Sequence, residues 1–118
     1  MLLQLTRGDT RTYSLTLTAD GQPIDLGAAD VTFTAKRHLL DTVPFIQKTL
    51  DDGIALGGAS GDSGIIDVTI EPEDTDGLTH TERFLWDVQV DSGLDISTPL
   101  KGRLVVSMDV TTPSGSGS

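Results

Sequence analysis

The residues most suggestive of chemistry in this chain form the string GDSG at residues 61–64. The same four residues surround the nucleophile of trypsin-like serine proteases, which also need a histidine base and a buried aspartate. Ser63 would be that nucleophile and His38 the base, but His38 lies in a polar connection with no other residue of such a site around it. A loop rich in glycine and serine accounts for the same string. We therefore predict that the chain is not an enzyme.

An acidic stretch at residues 71–76 offers the oxygen ligands that calcium prefers. The string DTDG at residues 74–77 is similar to the middle of an EF-hand loop. With Gly77 at the sixth position of that loop, however, the first position falls on Pro72 and the twelfth on Arg83. Neither side chain supplies a carboxylate, so an EF-hand is excluded. A solvated acidic turn is one interpretation of the stretch, and a weak surface calcium site is the other.

The RGD tripeptide, the two histidines and the tryptophan each suggest a function, but each also has a purely structural explanation. The tripeptide RGD at residues 7–9 is the integrin-recognition sequence, but it falls between two predicted strands, which favours a tight turn. His38 and His80 have no cysteine or carboxylate at ligand spacing, so we predict no metal site and no cofactor. Trp86 alternates with Phe84 and Val88, which predicts a core side chain, with stacking on a sugar as the alternative.

The composition restricts the partners of the chain. Eighteen acidic residues against eight basic ones give a net charge of −10. Such a surface repels phosphate backbones and anionic lipids, so we predict no nucleic-acid partner and no membrane partner. The absence of cysteine excludes disulfides and thiolate metal sites. The apolar start, MLLQL, is short and has no basic flank, so it is interpreted as a first strand and not as a signal peptide.

Five stretches alternate apolar and polar residues with a period of two, which is the pattern of strands that are buried on one face. Frequent turn signals between them predict an all-β, immunoglobulin-like antiparallel β-sandwich, with one short helical turn near residues 72–77. Residues 1–112 form the single domain and residues 113–118 a flexible Ser/Gly tail. The inward residues of the five stretches are Tyr13, Leu15 and Leu17; Val31, Phe33 and Ala35; Ile66, Val68 and Ile70; Phe84, Trp86, Val88 and Val90; and Leu104, Val106, Met108 and Val110.

Two segments are candidates for contact with another chain. One is more apolar than a free surface strand usually is, and the other is suited to pairing with a neighbouring strand. The N-terminal strand would expose several large side chains. Residues 44–50 are predicted as an edge strand, with Pro44 at its start and Lys48 blunting its open side. We therefore expect an oligomer interface at one of these strands. Its predicted residues are Met1, Leu2, Leu3, Leu5, Phe45 and Ile46.

The order of turns and strands resembles the N-terminal immunoglobulin-like domain of phage baseplate upper proteins and the small tail-associated domains related to it. The resemblance spans roughly residues 3–111. It is carried by RGDT at residues 7–10, DGQPIDL at residues 20–26, GIIDVTI at residues 64–70 with Pro72 after it, FLWDV at residues 84–88, and the closing strand from Gly102 to Thr111.

This resemblance implies a non-enzymatic structural or assembly module of a phage virion, in the tail or baseplate, that acts by protein–protein contact. Its implied partners are other virion proteins and further copies of itself, and its implied location is the virion, after synthesis in the bacterial cytoplasm. The family supplies no catalytic residues. The alternative is an immunoglobulin-like module that binds a carbohydrate or a receptor.

Overall fold

The computed structural model describes residues 1–57 and 64–109. Residues 61–63 of the GDSG string, Val110 and the predicted tail lie outside the described residues. The strands are β1 (Leu2–Thr6), β2 (Arg11–Thr16), β3 (Thr18–Ala19), β4 (Gln22–Pro23), β5 (Asp30–Lys36), β6 (Ile46–Leu50), β7 (Gly53–Leu56), β8 (Ile65–Ile70), β9 (Glu82–Asp91) and β10 (Ile96–Ser107), and the described helix is α1 (Pro72–Thr75).

Eight strands form one hydrogen-bonded sheet in the order β1-β10-β9-β5-β6-β7-β8-β2. Between β6 and β7 the pairing is limited to Thr49 with Gly53 and Leu50 with Ile54, where the chain turns through Asp51 at a φ of 64°. The sheet folds over at this point into a larger layer, β1-β10-β9-β5-β6, and a smaller layer, β7-β8-β2. The prediction of an all-β sandwich with one short helical turn is confirmed.

One continuous core lies between the two layers. It is built from every second residue of the strands, as the period-two pattern predicts. Trp86 of β9 stacks on Phe33 of β5 with 5.5 Å between ring centroids, and its Nε1–H donates to the backbone oxygen of Arg103 at 3.0 Å. The prediction that Trp86 is a core side chain is confirmed.

The strand directions are not all antiparallel, contrary to the prediction. β1 runs parallel to β10, with Leu3 opposite Leu104 and Leu5 opposite Val106. An alternation of apolar and polar residues fixes which face of a strand is buried, but it carries no information on direction. Because the first and last strands are joined through most of the chain, no short loop forces them to run antiparallel.

Two strand assignments also differ from the prediction. Residues 44–50 contain β6, which starts at Ile46 and ends the larger layer as an edge strand does, but which also pairs with β7 at two positions. The last strand is longer than predicted, because β10 begins at Ile96, well before the first predicted inward residue, Leu104. The register of β10 on β9 shifts between Ser97 and Leu100, and Pro99 lies within this irregular stretch. Proline has no N–H, and at this position none is needed for a hydrogen bond to β9.

The helical turn α1 is where the sequence places it, and it holds the turn between β1 and β2. Pro72 opens the turn, and the backbone N–H of Glu71 donates to Oδ2 of Asp74 at 2.8 Å, which caps it. Thr75 is buried, and its Oγ1 accepts a hydrogen bond from the N–H of Gly8 at 3.0 Å. This hydrogen bond fixes the loop after β1 against α1.

Candidate assembly surfaces

The predicted interface residues of β1 divide between the core and the surface. Leu3 and Leu5 are buried in the chain's own core, because the odd positions of β1 face inward. They are not available to a partner, which corrects their assignment to an interface. Met1 and Leu2 are 65% and 55% exposed.

The other two predicted interface residues pack within the chain. Ile46 is buried opposite Ala35 of β5. Phe45 stacks on Phe84 with 4.6 Å between ring centroids, and the guanidinium of Arg37 lies 4.9 Å from the centroid of the Phe45 ring. Because Ile46 is buried, its assignment to an interface is corrected, whereas the partly buried Phe45 packs inside the chain on one side.

The free edge of β1 is partly occupied by its neighbours. The hydroxyl of Tyr13 on β2 donates to the backbone oxygen of Gln4 at 2.5 Å, and the N–H of Asp9 donates to the oxygen of Thr6 at 3.0 Å. Burial raises the pKa of Tyr13, and nearby Arg11 opposes this shift. The Tyr13 hydroxyl therefore stays protonated at neutral pH and links the outermost strands of the two layers. We call the side of the sandwich where β1 and β2 meet the clasped flank.

The RGD segment forms a tight turn whose arginine is engaged inside the chain. Arg7 Nε contacts Oδ1 of Asp109 at 2.7 Å, and its Nη1 donates to the backbone oxygen of Leu78 at 2.9 Å. This hydrogen bond from Arg7 lowers the pKa of Asp109. The arginine is thus a structural tie between β1, the region after β10 and the segment after α1.

Lys48 lies on the inward face of β6, directly opposite buried Phe33. Its stem passes so close to Gly53 that a Cβ at that glycine would meet the Lys48 side chain. Its Nζ reaches Oδ2 of Asp74 in α1 at 2.7 Å. An inward-pointing charge is a known means of blocking strand addition at a sheet edge. Lys48 therefore protects the side of β6 that has little ladder pairing with β7.

The acidic turn and the histidines form no shared site. Asp74 is engaged by its capping bond and by Lys48. His38 is exposed, and His80 Nε2 contacts Glu82 at 3.1 Å. Within residues 1–57 and 64–109 there is no group of three or more His, Cys, Asp or Glu residues that could hold a metal ion.

The outer face of the larger layer gathers basic and apolar side chains. The register places Arg103 between Leu2 on β1 and Leu85 on β9, while Lys101 lies opposite Asp87. These residues belong to a surface that we call the basic face. Its members are Leu2, Lys36, Arg83, Leu85, Asp87, Lys101, Arg103 and Val105, and they include four of the chain's eight basic residues and one acidic residue.

A groove of about 540 Å³ continues the basic face toward the loop at residues 37–45. Its lining includes the polar strand residues Thr34, Gln47 and Asp87, the cations Lys36 and Lys101, and Leu39, Thr42 and Pro44 of the loop. Burial raises the pKa of Asp87, and Lys36 and Lys101 partly offset the shift.

Large exposed apolar side chains, which sequence reasoning missed, stand beside this groove. The sequence predicts a polar connection at residues 37–43, yet Leu39, Leu40 and Val43 are all exposed, Leu40 to 94%. The signal was available in the sequence, because three large aliphatic residues in one loop have no strand periodicity that could bury them. Leu94 and Ile96 are exposed in the same way near the turn between β9 and β10.

Comparisons with known proteins add little to this geometry. No family model matches the chain, and no curated protein sequence matches it. Among solved structures, it is similar to AggA, the major subunit of aggregative adherence fimbriae type I from Escherichia coli, with a TM-score of 0.37 and 12% identity over 91% of this chain and 90% of that one. We draw nothing about function from a likeness at this level. No helix in the described part of the chain has the length and apolar character needed to cross a membrane.

Proposed function

We propose that this chain is a non-enzymatic structural module of a phage virion, in the tail or baseplate, that acts by binding other virion proteins. The observation that carries the protein-binding part is the basic face. Arg83, Lys101, Arg103 and Lys36 converge there although the chain as a whole carries a charge of −10. None of the four forms an ion pair with another residue of the described ranges.

The other basic residues are mostly engaged within the chain, which sets the basic face apart. Arg7, Arg37 and Lys48 form ion pairs that join one element to another. The cations of the basic face stand beside Leu2 and Leu85 instead. Complementary charge orients a partner and speeds its approach, while apolar area beside the charges supplies affinity. The basic face therefore fits an acidic protein surface that also carries apolar side chains.

The assignment to a virion is supported by the sequence resemblance. The strings at residues 7–10, 20–26 and 64–70 occur in the same order as in phage baseplate upper proteins. In the structure, these strings form the turn after β1, the β3–β4 hairpin with the segment after it, and β8. They build the scaffold that presents the basic face and are not part of it.

The test is binding to purified tail and baseplate proteins of the parent phage, measured by calorimetry at two salt concentrations. The charge-reversed variant Arg83→Glu/Arg103→Glu should bind at least about tenfold more weakly, which corresponds to about 1.4 kcal/mol. The matched control is Arg83→Lys/Arg103→Lys, which keeps both charges and should retain binding. Equal binding by the charge-reversed variant, or no binding to any virion protein, would overturn the proposal.

A carbohydrate- or receptor-binding module is a second candidate, favoured by the groove and by its polar lining residues Thr34, Gln47 and Asp87. Sugar sites commonly use an exposed aromatic face, and the chain's aromatics are engaged elsewhere. Phe33 stacks on Trp86, Phe45 stacks on Phe84, and Tyr13 closes the clasped flank. A glycan array distinguishes the two candidates, because a hit that Asp87→Asn abolishes would favour the carbohydrate module.

A further inference from the structure

The hydrogen-bonding phase of β2 shows which of its backbone groups face a neighbour. The N–H of Leu17, just beyond β2, donates to the oxygen of Gly64 at 2.7 Å. The same register pairs Leu15 with Ile66 and Tyr13 with Val68. In an antiparallel ladder, residues alternate between hydrogen-bonded and non-hydrogen-bonded pairs. The odd residues of β2 therefore bond to β8, and the even residues direct their N–H and C=O groups away from it.

The side chains agree with this phase. Thr12 and Thr69 bring their hydroxyls to 3.0 Å, and Ser14 donates to Oδ1 of Asp67 at 2.6 Å. Both are pairs of the non-hydrogen-bonded kind, in which opposite side chains lie closest. The backbone groups of Thr12, Ser14 and Thr16 thus face the side of β2 remote from β8.

The β3–β4 hairpin continues the same free side. The N–H of Ile24 donates to the oxygen of Leu17 at 3.0 Å, so β4 lies on the side of the chain that β8 occupies. Thr18 is opposite Pro23, and this is a non-hydrogen-bonded pair of the ladder, so the missing N–H of proline is not needed there. The backbone groups of Thr18 therefore point the same way as those of Thr16. We call Thr12, Ser14, Thr16 and Thr18 the open edge.

The open edge lacks the protection found at the other edges of the sandwich. β1 has carbonyls occupied by Tyr13 and Asp9, and β6 carries the inward charge of Lys48. The open edge has neither proline nor lysine, and its β-branched threonines favour extended backbone. Within residues 1–57 and 64–109, no strand pairs with it.

We propose that the open edge pairs with the open edge of a second copy of this chain, antiparallel and about a twofold axis. Thr12 then lies opposite Thr18 of the second copy, and Ser14 lies opposite Thr16. This register is chosen because it gives all four residues a hydrogen-bonded partner, whereas a shift in either direction leaves some of them unpaired. The inference rests on the proposed function, since it specifies how copies join within an assembly.

Charge at the two ends of the open edge favours a second copy in this orientation. Arg11 is exposed at one end and Asp20 is exposed at the other. An antiparallel pair brings each arginine near the aspartate of the other copy, whereas a parallel pair would bring like charges together. Exposed Met1 precedes β1 and exposed Leu2 begins it, and Tyr13 ties β1 to this same flank, so apolar surface is available beside the strands that pair.

Site-specific cross-linking tests the register directly, because the chain has no cysteine of its own. Hydrogen-bonded pairs place Cα atoms about 5.5 Å apart, which suits a disulfide. We expect a mixture of Ser14→Cys and Thr16→Cys proteins to form a covalent dimer rapidly on mild oxidation, and each variant alone to do so slowly. The control mixture of Ser14→Cys with Gln47→Cys, an exposed position on β6, gives the rate of random collision. Equal rates in the two mixtures would overturn the proposal.

A second experiment removes one backbone donor of the open edge. Thr16→Pro deletes an N–H that makes no bond to β8, whereas Thr16→Val keeps that N–H. By sedimentation equilibrium, Thr16→Pro should weaken dimerisation at least about tenfold, and Thr16→Val should not. A wild-type chain that stays monomeric at millimolar concentration would contradict the proposal. If Thr16→Pro does not fold, the cross-linking result decides.

The two proposals fail separately. If virion proteins bind through the basic face while no dimer forms, the twofold pairing is wrong and the proposed function stands. If the cross-linked dimer forms but no virion protein binds, the pairing stands and the proposed function is wrong.

Discussion

Gly102 of β10 is the position at which one added methyl group should displace the start of the chain. It lies opposite Trp86, and a Cβ built on it would be 1.9 Å from the backbone oxygen of Met1. That oxygen accepts a hydrogen bond from the N–H of Arg103 at 2.9 Å. Gly102→Ala therefore cannot be accommodated unless Met1 moves away and this bond lengthens or breaks.

The expected cost combines two effects. Loss of the hydrogen bond to Met1 costs about 1 kcal/mol, and overpacking of a well-packed core costs about 1–3 kcal/mol. Because Gly102 is only half-buried and exposed Met1 can move outward, the low end of the overpacking range applies. We expect a decrease of about 2 kcal/mol in the free energy of unfolding, which lowers Tm by about 8 °C for a chain of this size.

Urea denaturation followed by Trp86 fluorescence measures this effect close to its source, since Trp86 is the chain's one tryptophan and lies opposite Gly102. The matched control is Gly77→Ala, because a Cβ at Gly77 would meet nothing within 4 Å. If both variants unfold at the same urea concentration, Met1 does not pack on β10 as described and the reasoning fails.

Three further substitutions test other contacts. Tyr13→Phe removes the hydrogen bond to Gln4 and should lower the free energy of unfolding at pH 7 by about 1 kcal/mol. Because the pKa of Tyr13 is raised in the folded chain, the wild type keeps this advantage below about pH 10 and loses it as the pH rises through the folded pKa. The melting temperatures of the two chains should therefore converge at alkaline pH. Asp109→Asn should lower stability at neutral pH and make stability depend less on pH in the acid range. The hydrogen bond from Arg7 lowers the pKa of Asp109, so this carboxylate stabilises the fold above about pH 4 and ceases to do so as the pH falls through its folded pKa. If the melting temperatures of the two chains fall in parallel at acid pH, this reasoning is wrong. Lys48→Met should lower monomer stability by up to about 3 kcal/mol, because removing one partner of a largely buried ion pair leaves the Asp74 carboxylate without its cation. It should also increase light scattering from aggregates, and unchanged scattering would show that Lys48 does not protect β6.

The buried face of each strand could be predicted from the sequence because burial follows directly from alternation. The turn at Asp20 and Gly21 was also predictable, and both residues have the positive φ, 52° and 78°, that a tight hairpin turn requires. The helical turn from Pro72 could be predicted because proline and acidic residues are favoured in the first turn of a helix.

Features that depend on register could not be predicted. Lys36, Arg83 and Arg103 are distant in the sequence, and they become neighbours only because β9 lies between β5 and β10. The inward direction of Lys48 could not be predicted for the same reason, since it depends on the pairing with Phe33. The open edge also required the structure, because a strand of threonine and serine looks the same in sequence whether or not a neighbour covers it.

The parallel pairing of β1 with β10 determines how this domain would carry a mechanical load. Met1 lies beside Arg103 at one end of the ladder, and Arg7 bonds to Ser107 at the other. Tension between the beginning of β1 and the end of β10 would pull the two strands lengthwise past each other, so the hydrogen bonds between them would share the force and break together. A domain connected in this way resists stretching better than one whose terminal strands peel apart one bond at a time.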